Sequence, residues 1–134
     1  AVFERSTGLE YRFVPQGPAV TQQELGGCLS ALAALDFDYL VASGSLPRGA
    51  AEDFYVEVGR LAHAKGARFV LDTSGAALTA AVAKGRIHVL KPSIGEFETL
   101  TGRALRDPAA LEQAAREYVS EGRVEILAVT LGHE

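Results

Sequence analysis

Four short loops of this 134-residue chain carry the residue types that could bind a ligand. Each loop follows a short apolar run and combines polar or charged side chains with glycine or proline. Their sequences are SGSLPRG, DTSG, KPSIGE and TLGHE. Ligands of open parallel sheets bind beyond the carboxyl ends of the strands, and such loops let backbone amides face a ligand. These four loops are therefore the candidate functional site.

The first two loops offer hydroxyl and carboxylate groups. Gly44 lies between Ser43 and Ser45, and two hydroxyls about a glycine suit hydrogen bonds with sugar hydroxyls or a phosphate. The residue types alone favour a simpler interpretation, a capped turn ahead of a helix. Asp72 of the second loop could bring a carboxylate to the site, although its position before a helix favours an N-cap.

The third loop has two interpretations that the residue types leave open. Lys91 could supply positive charge beside phosphates, and Glu96, one helical turn past Ser93, could hold Mg²⁺ directly or through water. Ser93 and Glu96 also match a capping box, in which each side chain satisfies the other residue's backbone amide.

The fourth loop is the weakest signal by itself, because a strand that ends in glycine is common. Its residues, Thr130, Leu131 and Gly132, could lie along a nucleotide. The histidines provide no obvious catalytic base, since they fall in a predicted helix, inside a predicted strand and at the end of the chain: His63, His88 and His133. No phosphate-binding GxxxxGK[ST] loop and no GxGxxG after a strand occurs in the sequence.

The elements that must position these loops alternate along the chain. The apolar runs YLVAS, RFVLD, IHVLK and EILAVT are continuous, which is typical of parallel strands covered on both faces. Amphipathic stretches separate them and predict crossover helices over residues 52–65, 76–84, 93–101 and 108–121. The sequence therefore predicts an α/β fold, a parallel sheet with helices on both faces.

The first 35 residues follow a different pattern. Residues 2–5 alternate in polarity, turn at Ser6-Thr7-Gly8 and alternate again through Phe13, which predicts a β-hairpin. Thr21 with Glu24 forms a capping box that starts a helix ending near Leu35. Cys28, the only cysteine, falls on the apolar stripe of this helix and is predicted to be a core residue.

Composition excludes several classes of function. The formal net charge of −4 would repel phosphodiester backbones and anionic lipids, so neither nucleic acid nor a membrane is an expected partner. A single cysteine excludes a disulfide framework. The first residues do not resemble a secretion signal, and the predicted compartment is the cytoplasm. The lack of methionine and the strand pattern at the start predict an internal piece of a longer protein.

Five segments in the right order resemble the middle of bacterial phosphofructokinase-B enzymes, the pfkB family of ribokinase-like carbohydrate kinases. They are TGLEYRFVPQGP, VASGSLPRG, VLDTSGAAL, VLKPSIGEFETLTG and VTLG. The resemblance covers nearly the whole chain and is closest to the 6-phosphofructokinase branch. It implies ATP and Mg²⁺ as cofactors and a sugar phosphate as the acceptor.

The resemblance also implies roles for individual residues and segments. Residues 1–14 would belong to a β lid that clasps a second subunit into a homodimer, and residues 15–134 would be the central part of the kinase domain. The candidate residues fall into a sugar-phosphate group (Gly44 and Ser45), an ATP group (Lys91, Ser93, Thr130, Leu131 and Gly132) and a magnesium ligand (Glu96).

Two departures from the family pattern limit what we expect of this chain. Ser93 replaces the asparagine of the KPNxxE motif, which puts metal positioning in doubt. The sequence also lacks the GAGD motif that supplies the catalytic base in the family. The sugar-binding strands with a Gly-Gly-rich loop, which the resemblance places before Ala1, are absent too. We therefore expect no phosphoryl transfer by the chain alone.

Within this resemblance, the YRFV stretch before Gly17-Pro18 favours the 6-phosphofructokinase branch, which implies phosphorylation of fructose 6-phosphate at the 1-position. The alternatives are 1-phosphofructokinase, tagatose-6-phosphate kinase, a truncated domain without activity, and a generic α/β ligand-binding domain.

Overall fold

The computed structural model describes residues 2–11 and 17–132. Part of the predicted second hairpin strand, including Phe13, and the histidine at position 133 lie outside the described residues. Among the helices in those two ranges, none is long and apolar enough to cross a membrane.

The described residues form a small hairpin followed by an α/β unit. In chain order the elements are β1 (Val2–Glu4), β2 (Leu9–Tyr11), α1 (Gln22–Ala34), β3 (Tyr39–Ser43), α2 (Phe54–Ala64), β4 (Arg68–Asp72), α3 (Gly75–Lys84), β5 (Ile87–Leu90), α4 (Ile94–Thr101), α5 (Pro108–Ser120) and β6 (Val124–Leu127). β1 and β2 pair antiparallel. The other strands form one parallel sheet in the order β3-β4-β5-β6. The predicted α/β fold with a parallel sheet and an N-terminal hairpin is confirmed.

The core lies between one face of the sheet and the helices that connect its strands. Phe69 and Leu71 of β4 and Leu90 of β5 are buried on this face, and helix α2 packs against it. At Gly59 of α2 an added Cβ would come within 3.0 Å of the Phe69 ring. Glycine at this position therefore lets the helix approach the sheet closely.

The other face of the sheet is more exposed to solvent than the continuous apolar runs of the strands predicted. Tyr39 and Val41 of β3 are 50% and 64% exposed, and Ile126 of β6 is 49% exposed. The strand order gives a physical reason. Right-handed crossovers that always advance in the same direction place their helices on the same face, so the described helices bury one face more than the other.

Helix α1 begins where the sequence predicted, but Cys28 does not lie in the core. Thr21 caps the helix, with both bonds of the capping box to Glu24 present. Cys28 is exposed, so its prediction as a core residue is wrong. Leu29 and Leu32 are only partly buried against the core, and α1 packs against α2.

Helices α4 and α5 close the second half of the core. Asp107 caps α5 by accepting a hydrogen bond from the Ala110 amide at 3.2 Å, and Pro108 occupies the first turn as predicted. Phe97 of α4 is fully buried and meets the Tyr118 ring edge-on, with 5.3 Å between ring centroids. This aromatic pair fixes α5 against the helix that follows β5.

Candidate functional site

The carboxyl ends of the four parallel strands meet at one edge of the sheet. Ser43 at the end of β3 is the partner of Asp72 at the end of β4, and Leu71 is the partner of Leu90. Leu90 in turn pairs with Leu127 of β6. The loops singled out in the sequence therefore leave the sheet on the same side, as expected for parallel strands.

Gly44 forms a tight corner directly after β3. Its φ of 105° lies in the region that favours glycine. The Gly44 amide donates to the Asp72 carbonyl at 2.8 Å. The Gly44 carbonyl accepts from the Tyr55 hydroxyl and from the Thr73 hydroxyl, both at 2.9 Å. Both polar groups of this peptide corner are thus held by hydrogen bonds.

Tyr55 and Thr73 are site residues that sequence reasoning missed. Thr73 is 5% exposed, and burial raises the pKa of the Tyr55 phenol, with a smaller opposing effect from Thr73. The phenol therefore stays protonated and can donate to the Gly44 carbonyl. A tyrosine in the first turn of α2 and a threonine after β4 read as packing residues, so the sequence gives only a weak signal for them.

Asp72 and Lys91 form an ion pair at the same edge. The Lys91 ammonium lies 3.1 Å from Asp72 Oδ2, with the two side chains 43% and 38% exposed. The Ser43 hydroxyl donates to the same oxygen at 3.5 Å. The interpretation of Asp72 as an N-cap is wrong, because the N-cap of α3 is Ser74. As the last residue of β4, Asp72 instead reaches the ends of both neighbouring strands.

The loop after Gly44 leads away from the sheet before α2 begins. Ser45 is exposed, and α2 starts only at Phe54, so the SGSLP stretch is not a capped turn at the start of that helix. Farther along, the Val20 amide donates to the Arg48 carbonyl at 2.8 Å. A Cβ added at Gly49 would lie 2.1 Å from the Val20 carbonyl oxygen. This close approach ties the loop to the segment before α1.

Ser93 and Glu96 form the capping box at the start of α4. Glu96 Oε2 accepts hydrogen bonds from the Ser93 amide at 2.7 Å and from the Ser93 hydroxyl at 2.8 Å. The Ser93 hydroxyl oxygen in turn accepts from the Glu96 amide at 3.3 Å. The capping interpretation is confirmed. It engages one carboxylate oxygen of Glu96, and Oε1 takes no part in the box.

A magnesium ion would need ligands from outside the protein at this position. Across residues 2–11 and 17–132 there is no group of three or more histidine, cysteine, aspartate or glutamate side chains placed to hold a metal ion. Mg²⁺ is commonly bound by one or two carboxylates together with water and substrate phosphates. The single carboxylate of Glu96 fits this mode of Mg²⁺ binding, in which water and substrate phosphates supply the other ligands.

The fourth loop docks beside the capping box. Thr130 forms a parallel bridge with Ser93. The Ile94 amide donates to the Thr130 carbonyl, and the Thr130 amide donates to the Pro92 carbonyl, each at 2.9 Å. Leu131 is 59% exposed, and Gly132 has a φ of 80°. The main chain therefore holds Thr130 next to the first turn of α4.

The predicted site residues form two neighbouring groups. One group surrounds the Gly44 corner and includes Asp72 and Lys91. The other surrounds the start of α4 and includes Ser93, Glu96 and Thr130. The two groups are adjacent, since Lys91 directly follows β5 and its amide donates to the Leu71 carbonyl at 3.0 Å. The arrangement offers one cation and several main-chain groups along a single edge.

The two described histidines lie away from this edge. His88 is the second residue of β5, and its Nδ1 lies 2.8 Å from Glu125 Oε2. The His88 side chain is 16% exposed and is therefore largely packed against its neighbours. His63 lies in the last turn of α2.

Comparison with known sequences gives consistent matches along the chain. The model of the family described as pfkB family carbohydrate kinase matches residues 4–134. The ATP-dependent 6-phosphofructokinase isozyme 2 of Mycobacterium tuberculosis H37Rv is 37% identical over 135 residues, which cover 99% of this chain and 39% of the relative. The 1-phosphofructokinase of Rhodobacter capsulatus is 35% identical, with coverage of 96% and 40%.

Comparison with solved structures agrees. The crystal structure of phosphofructokinase-2 from Escherichia coli in complex with fructose-6-phosphate superposes with a TM-score of 0.87 at 34% identity. The match covers 97% of this chain and 43% of that structure. The chain thus spans about two-fifths of the length of the proteins that it matches.

Proposed function

Because the chain belongs to the pfkB family of carbohydrate kinases, we propose that it supplies part of the active site of an ATP-dependent sugar-phosphate kinase. The proposed acceptor is the 1-hydroxyl of fructose 6-phosphate. Its oxygen would bond to the γ-phosphorus of Mg-ATP while the bond from that phosphorus to the bridging oxygen breaks and ADP leaves. The hydroxyl proton would pass to a general base, which in this proposal the GAGD motif supplies. The observation that carries the proposal is the convergence of the Gly44 corner, Lys91 and the start of α4 at one edge of the sheet.

Gly44 and Ser45 are the proposed contacts to the sugar phosphate. The hydrogen bonds from Tyr55 and Thr73 hold the Gly44 carbonyl in place, so the corner is formed before a ligand arrives. Such preorganisation lowers the entropic cost of binding. Ser45 follows this corner and is exposed, which leaves its hydroxyl accessible to a ligand.

Lys91 and Ser93 are the proposed contacts to the phosphates of ATP, with Thr130, Leu131 and Gly132 along the nucleotide. An ammonium beside transferring phosphates stabilises the charge that develops on them. Asp72 holds the Lys91 ammonium at the strand ends, which makes Asp72 a positioning residue in this proposal. The exposed Leu131 is available as an apolar surface for the nucleotide.

Glu96 is the proposed magnesium ligand, directly or through water. A bound Mg²⁺ would neutralise charge on the phosphate oxygens of ATP. The capping box uses Glu96 Oε2, so Oε1 is the oxygen that would face the ion. The side chain can therefore serve both roles at once.

Fructose 6-phosphate is preferred over other acceptors because the M. tuberculosis relative is named a 6-phosphofructokinase and the E. coli structure is a complex with fructose-6-phosphate. The second candidate is a 1-phosphofructokinase activity, favoured by the R. capsulatus relative at 35% identity. The two candidates differ in the position of the phosphate on the acceptor. Binding of fructose 6-phosphate and of fructose 1-phosphate to the same protein distinguishes them.

Residues 1–14 are the proposed lid segment and residues 15–134 the proposed central part of the kinase domain, with the cytoplasm as the predicted compartment. The lid is proposed to mediate a homodimer. Large apolar side chains of the hairpin are exposed in the described residues: Val2 (55%), Phe3 (63%) and Leu9 (54%). Val2 and Leu9 lie on one face of the hairpin and Phe3 on the other, because side chains alternate along each strand. Exposed apolar side chains on a two-stranded hairpin are typical of an interaction surface.

The proposed site can be tested by removing the positive charge of Lys91 and measuring the affinity for Mg-ATP. We expect Lys91→Gln to weaken binding of Mg-ATP to this chain about tenfold, equivalent to about 1.4 kcal/mol, because the cation beside the phosphates is lost. Isothermal titration calorimetry measures the affinity. The matched control is Arg116→Gln, since Arg116 pairs with Glu112 on the exposed face of α5. Equal affinities for both variants would contradict the proposed role of Lys91.

A further inference from the structure

A cleft of about 360 Å³ lies at the amino ends of the parallel strands, on the opposite side of the sheet from the candidate site at their carboxyl ends. Its inner wall is apolar and includes Phe69, Ile87 and Val124, which are all buried. Its rim carries His63, Arg86 and Arg123. The cleft therefore combines an apolar interior with a basic opening, an arrangement common among sites for small organic ligands.

The topology brings the basic residues of the rim together. Arg86 directly precedes β5 and Arg123 directly precedes β6. The first residues of these strands, Ile87 and Val124, are partners in the parallel ladder. The amino ends of adjacent parallel strands lie at the same edge, so the two arginines flank one opening. The length of β5 separates this edge from the candidate site by roughly 13 Å, at about 3.3 Å per residue.

Arg86 carries the positive charge that is available at the rim. Its guanidinium donates to His63 Nε2 at 3.0 Å, because a guanidinium has donors only and the ring nitrogen must accept. None of the ion pairs within residues 2–11 and 17–132 includes Arg86. Its charge faces a ring nitrogen instead of a carboxylate.

The other charged groups at the opening are already paired. Arg123 lies 2.8 Å from Glu121 Oε2 and stacks over the Tyr118 ring. Glu125, the carboxylate that lines the cleft, lies 2.8 Å from His88 Nδ1. An incoming anion would therefore meet the unpaired guanidinium of Arg86 first. Arg123 is close enough to the opening to share the ligand if its exposed pair with Glu121 exchanges.

We propose that this cleft binds a small anion through its phosphoryl group, either inorganic phosphate or a small phosphate monoester. A guanidinium presents parallel donors that match two phosphate oxygens. The apolar wall leaves room for the organic part of a monoester. The site lies at the opposite edge from the proposed kinase site, and neither proposal depends on the other.

Nuclear magnetic resonance of the histidine rings tests the proposal directly, since the chain has only 3 histidines. The His63 ring signals, assigned with His63→Gln, are followed while inorganic phosphate is added at constant pH and ionic strength. A parallel titration uses glycerol 3-phosphate. We expect a saturable shift of the His63 signals, because the ligand competes for Arg86. The affinity should fall at least tenfold in Arg86→Gln.

Two control variants separate this cleft from other anion-binding surfaces. Arg116→Gln removes an exposed arginine elsewhere, and Lys91→Gln removes the cation of the candidate kinase site; both should keep the His63 shift. Tighter binding of glycerol 3-phosphate than of phosphate would identify a monoester ligand, and equal binding would identify free phosphate. The proposal is overturned if the His63 signals do not shift saturably, if chloride shifts them equally, or if Arg86→Gln retains the full affinity.

Discussion

At the level of single residues, the candidate site depends on main-chain groups held by side chains that would not touch a ligand. The Gly44 carbonyl accepts two hydrogen bonds, one from Tyr55 and one from Thr73. A hydrogen bond of this kind contributes about 0.5 to 1.5 kcal/mol to folding stability. Tyr55 and Thr73 therefore help to fix the main chain at this corner.

Ionisation of buried tyrosines should make the folded state less stable at alkaline pH. Burial raises the pKa of Tyr55 and of Tyr118 above the ordinary value. A group with a raised folded-state pKa contributes its full stability below the unfolded-state pKa of about 10 and loses it as the pH rises further. We expect the free energy of unfolding to fall above about pH 10. Urea unfolding measured from pH 8 to 11 checks this.

The variants Tyr55→Phe and Tyr118→Phe identify the groups responsible. The double variant has no phenol at position 55 or 118. Its free energy of unfolding should therefore depend less steeply on pH in the alkaline range. Tyr55→Phe should also cost about 1 kcal/mol at pH 8, because it removes a donor to the Gly44 carbonyl. An unchanged alkaline slope in the double variant would show that other groups control it.

At the level of elements, the residues that cap helix α4, Ser93 and Glu96, are also the proposed contacts to ATP and Mg²⁺. We expect Ser93→Ala to destabilise the chain by about 1 kcal/mol, because it removes the side chain that caps the helix. Ser93→Asn should retain most of this stability, since asparagine is also a good N-cap. Thermal unfolding of the three proteins measures the difference.

The same pair of variants separates capping from metal positioning in a full-length protein that contains this chain. Ser93→Asn restores the family amide, so we expect it to change the Mg²⁺ dependence of the rate more than the affinity for the sugar phosphate. Kinetic titration with Mg²⁺ decides the matter. A metal dependence identical to that of the parent protein would leave capping as the sole role of Ser93.

The β1–β2 hairpin is the element that should mediate association. We expect Phe3→Ser to shift the chain toward monomer, because Phe3 is 63% exposed and lies on the proposed lid. Sedimentation equilibrium measures the oligomeric state. Tyr39→Ser is the matched control, since Tyr39 is an exposed aromatic residue outside the hairpin. The lid proposal fails if both variants associate like the parent chain or if only the control dissociates.

At the level of the whole molecule, the order of elements was predictable because apolar periodicity decides it. The four strands and the crossover helices were located within a few residues, and the capping boxes at Thr21 and Ser93 were recognised from their spacing. Cys28 was not, because periodicity shows which side of a helix is apolar and not how much of that side is covered. Asp72 was misread for a related reason: a carboxylate near a helix start can cap it or reach a neighbouring strand.

Tyr55 and Thr73 could not be found from the sequence because their role requires three separate elements to meet. Their hydroxyls converge on Gly44 from α2 and from the end of β4. Tyr55 is 11 positions from Gly44 in the sequence, and Thr73 is 29 positions from it. Local spacing carries no information about such a meeting. The fold can be inferred from short-range patterns, whereas the support of the site depends on packing.

We expect the chain by itself to show no sugar-dependent turnover of ATP. The sequence contains no GAGD motif; in the proposed function that motif supplies the base and an anion-binding turn. Loss of a general base lowers the rate by about 10² to 10⁴, and loss of one oxyanion donor by about 10² to 10³. A coupled assay of ADP release with fructose 6-phosphate and Mg²⁺ measures turnover. A rate of about 1 to 100 per second, usual for kinases, would place a base within these residues.

The sequential strand order β3-β4-β5-β6 also has a consequence for how the chain folds. Within this sheet β4, β5 and β6 each pair with the strand that precedes them, so each new pairing closes a loop only as long as one crossover connection. The entropy of loop closure grows with length, and folds built from such local pairings form faster than those that join distant segments. The strand order therefore allows the sheet to grow one strand at a time along the chain, because the pairing of β3 with β4 does not require β6.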